Sequence, residues 1–246
     1  MGQAQRVRNH HRALAKLTLS LRVTGVRDDG YHLIDAEMVT LDLADTLTID
    51  EAGGDEAGPD VDGVEVTGAD LPPDDLVTLA LRAVGRRARV VLDKRIPVGA
   101  GLGGGSADAA AVLRWAGCTD PGVAVRLGAD VPFCVIGGRA RVRGVGEVVD
   151  PLPFLDATFT LLTPPFGVWT PAVYRAWDEL GGPAADGPND LEPAALAVEP
   201  RLVEWRDRLG DATGATPVLA GSGGTWFVEG AHPGVAGAVI ARTDHP

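Results

Sequence analysis

The sequence is poor in lysine. Of its 22 basic residues only Lys16 and Lys94 are lysines, and the rest are arginine. Acidic residues number 34, which leaves a net charge of −12 at pH 7. A surface that holds nucleic acid or an anionic membrane needs a basic face, so this balance argues against both as partners. An anionic substrate would instead need a local positive site, supplied by a helix N-terminus or a single cation. Cysteine is also scarce. Cys118 and Cys134 show no CxxC or Cys/His spacing, so neither a disulfide framework nor a metal site is indicated, and both read as buried thiols. No apolar run approaches the ~18 residues of a membrane span. The basic stretch MGQAQRVRNHHRALAK is not followed by the apolar core of a signal peptide, and Arg6 sits where a myristoylation signal wants Ser or Thr. Internal repeats and low-complexity tracts are missing as well. Together these absences predict a soluble, cytoplasmic protein.

What is present is an ordinary globular balance, 45% hydrophobic and 23% charged over 246 residues, enough for one large domain or two small ones. LTLSLRV (17–23) alternates as a half-buried strand does, with Thr18, Ser20 and Arg22 on its polar face, and Lys16 shares that face. A turn at Asp28-Asp29-Gly30 follows, and MVTLDLADTLTID (38–50) reads as strand broken by a turn near Ala44-Asp45. The acidic, glycine-rich 51–63 reads as an exposed loop. Residues 74–87 have helical spacing, ARVVLDKRIP (88–97) is a strand, and SADAAAVLRWAG (106–117) is a helix with Ser106 as N-cap and Gly117 as its stop. Residues 122–150 read as a short helix, a turn around Gly128–Pro132 and two strands. A strand from 159, helices at about 171–180 and 190–209, and strands at 216–220 and 225–228 complete the chain. Strands and helices mix without steady βαβ alternation, which favours an α+β fold over a doubly wound sheet.

Between strand and helix lies PVGAGLGGGSADAA (97–110), with glycine at 99, 101, 103, 104 and 105. Gly99-x-Gly101-x-x-Gly104 matches a dinucleotide fingerprint, but no buried parallel strand ending in an acid follows it. A P-loop would need lysine where Gly105 stands, although Ser106 fits. Both motifs share one physical basis: glycine lets backbone N–H groups approach an anion, and the following helix adds its positive end.

Six stretches taken together resemble the GHMP kinases: KRIPVGAGLGGGSADAAAVL (94–113), ALAKLTLSLRVTGVRDDGYHLIDA (13–36), LGADVPFCVIGGRARVRGVGE (127–147), PFGVWTPAVYRAW (165–177), NDLEP (189–193) and LAGSGGTWFV (219–228). Within that family they look most like the isoprenoid branch, which uses ATP and Mg2+ to phosphorylate the 2-hydroxyl of a diphosphocytidyl methylerythritol. The resemblance implies a two-domain α+β fold: an S5-like ATP-binding domain over 1–153 and a ferredoxin-like domain over 154–246. It implies Lys16 and Asp130 at the phosphoryl-transfer centre, with Asp130 taking or orienting the hydroxyl proton and Lys16 stabilising developing charge. It implies that Pro97, Gly99, Gly101, Leu102, Gly103, Gly104, Gly105 and Ser106 cradle the ATP phosphates. Mg2+ would arrive with ATP, with no fixed protein site beyond Ser106 as a candidate ligand. Tyr31, His32 and Tyr174 would hold the cytosine, with Thr170, Pro171 and Thr18 nearby, and Gly221, Ser222 and Gly223 would form a late glycine loop beside the phosphates. The partner implied is a small cytidyl-sugar-alcohol, bound by a monomer or homodimer.

The chain departs from the family pattern in places. Thr18 and Asp75 stand where asparagine is usual, Leu14 replaces a proline, and Asp108 often has asparagine as its counterpart; the connections 84–89 and 115–123 are short. Two other readings therefore stay open: a related GHMP kinase acting on another small alcohol, and a nucleotide-binding pseudokinase.

Overall fold

The computed structural model describes residues 9–51, 64–67 and 75–245. The loop expected over 51–63 lies almost wholly outside the described residues. Ten strands and seven helices are found among those described.

Two long strands, β1 (Asn9–Val26) and β2 (His32–Glu51), form an antiparallel hairpin around the Asp28–Gly30 turn. β2 is long enough to serve two neighbours on its other edge. Its later part pairs with β4 (Ala88–Asp93), which pairs in parallel with β3 (Val64–Thr67). Its earlier part pairs with β5 (Arg139–Gly144), which pairs with β6 (Val148–Pro151). The turn expected near Ala44-Asp45 is not there: β2 runs through. The register instead slips, since Leu14 pairs with Ala44 but Lys16 with Thr40. Such a bulge lets one strand bend without ending.

Four helices pack against this sheet and one another. Alpha helix α1 (Leu76–Ala83) is capped by Asp75, whose carboxylate accepts from the Val77 and Thr78 amides. Helix α2 (Gly104–Trp115) buries Ala107, Ala109, Ala110, Ala111, Val112 and Leu113, and its small residues allow close approach to β1. It stops at Gly117, as expected, but its N-cap is Gly103 rather than Ser106, which lies inside the first turn. Helix α3 (Pro121–Leu127) leads to α4 (Val131–Ile136). Helix α4 stands where a turn around Gly128–Pro132 leading into strand is expected, because a short apolar run such as VPFCVI carries no period that separates helix from strand.

A second, fully antiparallel sheet has the order β10-β7-β9-β8 and comprises β7 (Thr158–Leu162), β8 (Val218–Leu219), β9 (Trp226–Glu229) and β10 (Val239–Arg242). β10 was not expected. With it lie α5 (Thr170–Glu179), α6 (Glu192–Val198) and α7 (Leu202–Thr213). The single helix expected over 190–209 is two, separated at Pro200, which cannot continue a helix interior. Trp226, Phe227, Leu161 and Leu162 are buried in this half. The halves meet where the turn after β8 lies on the glycine loop, with the Thr225 amide donating to the Ala100 carbonyl at 3.0 Å.

Candidate functional site

A cavity of about 500 Å3 opens between the halves. One wall is the loop from Pro97 to Gly105 together with the first turn of α2. The backbone geometry explains its glycines. Gly103 has φ +68, and a Cβ there would lie 2.8 Å from the Lys16 Cγ; at Gly101, φ +77, a Cβ would lie 2.6 Å from the Ala220 carbonyl oxygen. Only glycine fits both positions. Because Gly103 has no side chain to cap α2, the amides of that helix's first turn face the cavity without an internal side-chain partner. This is the arrangement that accepts an anion.

Both lysines of this lysine-poor chain line the cavity. Lys16 is only 4% exposed, so the face of β1 that its alternation marks as polar is buried here rather than solvated. Its backbone amide donates to the Leu102 carbonyl at 3.0 Å, which ties β1 to the glycine loop. Its Nζ lies 3.3 Å from Asp130 Oδ2 and donates to Thr18 Oγ1 at 3.1 Å. Thr18 thus supplies an acceptor to the ammonium where the family usually has asparagine. Asp130 stands at the start of α4, its side chain about one third exposed toward the cavity.

Lys94 was not singled out for a role, and its rarity was the signal available. Its Nζ donates to Asp45 Oδ2 at 2.5 Å and to Asp108 Oδ2 at 2.8 Å, all three groups being buried. Asp45 sits on β2 just where β4 has ended, and its other oxygen accepts from the Arg95 and Ile96 amides at 2.5 and 2.8 Å. One carboxylate therefore pins the entrance of the glycine loop to the sheet. Burial pushes the Asp108 carboxyl up to about 7, against the pull of Lys94. Burial alone would lower Lys94, but Asp108 and Asp45 outweigh it and its pKa is raised.

The opposite wall is aromatic. The His32 ring lies 4.7 Å from that of Tyr174 and meets Trp177 edge-on at 5.7 Å. Its Nε2 lies 2.8 Å from Asp178 Oδ1. Burial raises the Tyr174 phenol well above its ordinary pKa, and the Asp130 carboxylate adds to the shift.

Most of the residues expected at the site line this one cavity: Lys16, Thr18, His32, Pro97 to Ser106, Asp130, Thr170, Tyr174, Gly221 and Ser222. Three of them are placed elsewhere. Tyr31 is 63% exposed, with the Arg27 guanidinium 5.8 Å from its ring. Neighbouring residues of an extended chain point to opposite sides, so with His32 facing in, Tyr31 faces out. Pro171 lies in the first turn of α5, where its missing N–H costs nothing. Gly223 backs the glycine loop: its carbonyl oxygen is 2.7 Å from where a Gly101 Cβ would be.

A family model described as the GHMP kinase N-terminal domain matches residues 75–138, which include the glycine loop and Asp130. The 4-diphosphocytidyl-2-C-methyl-D-erythritol kinase of Paracoccus denitrificans is 40% identical over 234 residues, covering 87% of this chain and 84% of that one. The chain belongs to that kinase family. The enzyme of the same name from Cereibacter sphaeroides (strain ATCC 17025) is 38% identical, and the match covers 95% of this chain and 94% of its own. A crystal structure of a 4-(cytidine 5'-diphospho)-2C-methyl-D-erythritol kinase superposes with a TM-score of 0.77 at 30% identity, covering 97% of this chain and all of that one. Homoserine kinase from Cytophaga hutchinsonii, at 18% identity and a TM-score of 0.61, shares the fold. The α+β GHMP kinase fold is therefore that of this chain. It is an ATP-dependent phosphotransferase with an alcohol as acceptor, as the members of the family are.

Proposed function

We propose that this cytoplasmic enzyme phosphorylates the 2-hydroxyl of 4-diphosphocytidyl-2-C-methyl-D-erythritol with Mg2+ and ATP, and that its ATP-binding and substrate domains divide at 153/154. The observation that carries this reading is the Lys16–Asp130 pair, 3.3 Å apart, set between an anion cradle and an aromatic wall. Asp130 is the only carboxylate joined to Lys16 by an ion pair among the described residues. With a substrate hydroxyl beside it, Asp130 takes the proton as the new O–P bond forms and the bond to the leaving ADP oxygen breaks. Lys16, held in place by Thr18 and Leu102, places its charge where the attacking oxygen and transferring phosphoryl group carry theirs. The amides of the first turn of α2 hold the phosphates.

Among the described residues no group of three or more His, Cys, Asp or Glu side chains could hold a metal. Mg2+ needs no such group, since it takes one or two protein oxygens and completes its shell with phosphate oxygens and water. Ser106 lines the cavity and fits that requirement. When bound, the ion neutralises charge on the phosphates.

On the aromatic wall, Tyr174 and His32 present ring faces and a polar edge, which suits a flat, polar base. Tyr31 needs a rotation from its outward position to reach the same base. A crystal structure with cytidine diphosphate tests this placement: the base against Tyr174 and His32 supports it, and the base elsewhere in the cavity contradicts it.

A further inference from the structure

The stretch Asn189-Asp190-Leu191-Glu192-Pro193 plays no part in the chemistry above, yet its first two side chains are buried, Asn189 to 1% and Asp190 to 3% exposure. Burying polar groups is costly unless their hydrogen bonds are made. Here they are made, and to two different pieces of the site.

One set of bonds runs to β1. The Leu21 amide donates to the Pro188 carbonyl and the Asp190 amide to the Leu21 carbonyl, each at 2.9 Å. The Asp190 carboxylate accepts from the Val23 amide at 3.0 Å, the Ala185 amide at 3.0 Å and the Arg22 guanidinium at 2.7 Å. The segment is thereby fastened to the strand that carries Lys16 and Thr18.

The other set runs to the late glycine loop. The Asn189 side-chain amide donates to the Leu219 carbonyl at 2.8 Å and the Gly221 carbonyl at 2.7 Å, and its oxygen accepts from the Leu191 amide at 2.9 Å. Gly221 has φ +60, and a Cβ there would lie 3.4 Å from Lys16 Nζ and 3.6 Å from Thr18 Oγ1. The backbone that Asn189 grips thus rests on the Lys16 ammonium. At its outer end the loop has a second tether, an exposed contact of 2.7 Å between the Ser222 and Thr170 hydroxyls.

We infer that Asn189 is a positioning residue for phosphoryl transfer, its buried amide setting the separation between the late glycine loop and Lys16. This rests on the kinase reading above. Only an amide provides two donors on one nitrogen and an acceptor beside it in this volume. An aspartate of the same shape would turn both donors into acceptors facing carbonyl oxygens.

The test is steady-state kinetics of Asn189→Asp and Asn189→Ser with ATP and the cytidyl substrate, alongside thermal unfolding. In Asn189→Asp the loop is pushed away from Lys16, and kcat falls roughly ten- to a hundredfold. KM for either substrate stays within about threefold, since the contact acts on the transition state. Burial raises the pKa of the introduced carboxyl, and its protonated form regains one donor. The ratio of variant to parent kcat therefore climbs as pH is lowered from about 8 to about 6. Asp190, Arg22 and Lys16 are common to both proteins and cancel in that ratio. Asn189→Ser keeps one donor, introduces no charge, loses less kcat and shows no such pH dependence; it carries the test if Asn189→Asp does not fold. An active parent whose folded variants keep its kcat at every pH, with only a lower Tm, overturns the inference alone. A parent inactive on the cytidyl substrate removes the kinase reading and this inference with it.

Discussion

Gly101→Ala probes the junction on which the site depends. The added methyl meets two obstacles. With φ at +77, an L side chain is strained by about 1–2 kcal/mol. In addition, the new Cβ would lie 2.6 Å from the Ala220 oxygen and 2.7 Å from the Gly223 oxygen, both backbone atoms of the late glycine loop. Those atoms cannot swing aside as a side chain would, so the two loops must separate, an overpacking cost of about 1–3 kcal/mol. The sum is about 2–5 kcal/mol, which for a chain of this length lowers Tm by about 4–20 °C. Gly214→Ala is the control: its φ is +69, but nothing lies within 4 Å of its Cβ, so only the conformational cost applies. Differential scanning calorimetry of both variants separates the two contributions. Turnover separates them again, because parting the loops moves the phosphate cradle and costs about a hundredfold in kcat/KM, whereas Gly214 lies at the end of α7 and leaves it unchanged. If Gly101→Ala loses no more stability than Gly214→Ala and keeps parental kcat/KM, the proposed contact between the glycine loops is refuted.

Other predictions follow from the same geometry. Asp130→Asn keeps the shape beside Lys16 but cannot take a proton, so turnover is abolished while ATP affinity by calorimetric titration stays nearly at the parental value; normal turnover would sink the mechanism. Asp108 has its carboxyl raised in the folded protein from the ordinary 3.8 to about 7, so between those values the folded state holds more proton than the unfolded one. Its contribution to stability is complete at the lower end of that window and is lost as pH rises through the upper end. In urea titrations across that range Asp108→Asn therefore flattens the pH dependence seen in the parent; an unchanged slope would refute the assignment. Burial pushes the Cys134 thiol up to about 12, so a thiol reagent at neutral pH labels Cys118 and spares Cys134 until the protein unfolds. Peptide mapping that finds rapid native labelling at Cys134 would contradict that.

The local rules read much of this fold and misread it where distant segments meet. Alternation in LTLSLRV marked β1 correctly, but it says only that Lys16 and Thr18 share a polar face, and such a face is ordinarily open to solvent. That face is instead covered by the glycine loop and the late loop, which come from far along the chain. The density of glycine at 99–105 was a sound sign of a backbone needing positive φ and close approach. Its purpose showed only with the neighbours that fill the space, the Lys16 stem and the carbonyls of Ala220 and Gly223. The Ala44-Asp45 turn was misjudged because a bulge and a turn use similar residues. Asp45 then proved to be the anchor of a segment some fifty positions later, a link no window reveals. Ser106 resembled a cap because serine favours that position, but Gly103 already began the helix. For Tyr31 and His32, the alternation of an extended chain turns one ring toward the cavity and the other outward, and the triplet alone did not say which.

The measurement that tests the central claim most directly is the transfer of phosphate from ATP to the cytidyl substrate, run beside mevalonate, homoserine and galactose. The account predicts ADP release matched by phosphate on the 2-hydroxyl of the cytidyl compound and little turnover on the other three alcohols. No turnover on the cytidyl compound, with turnover on one of the others, would contradict it.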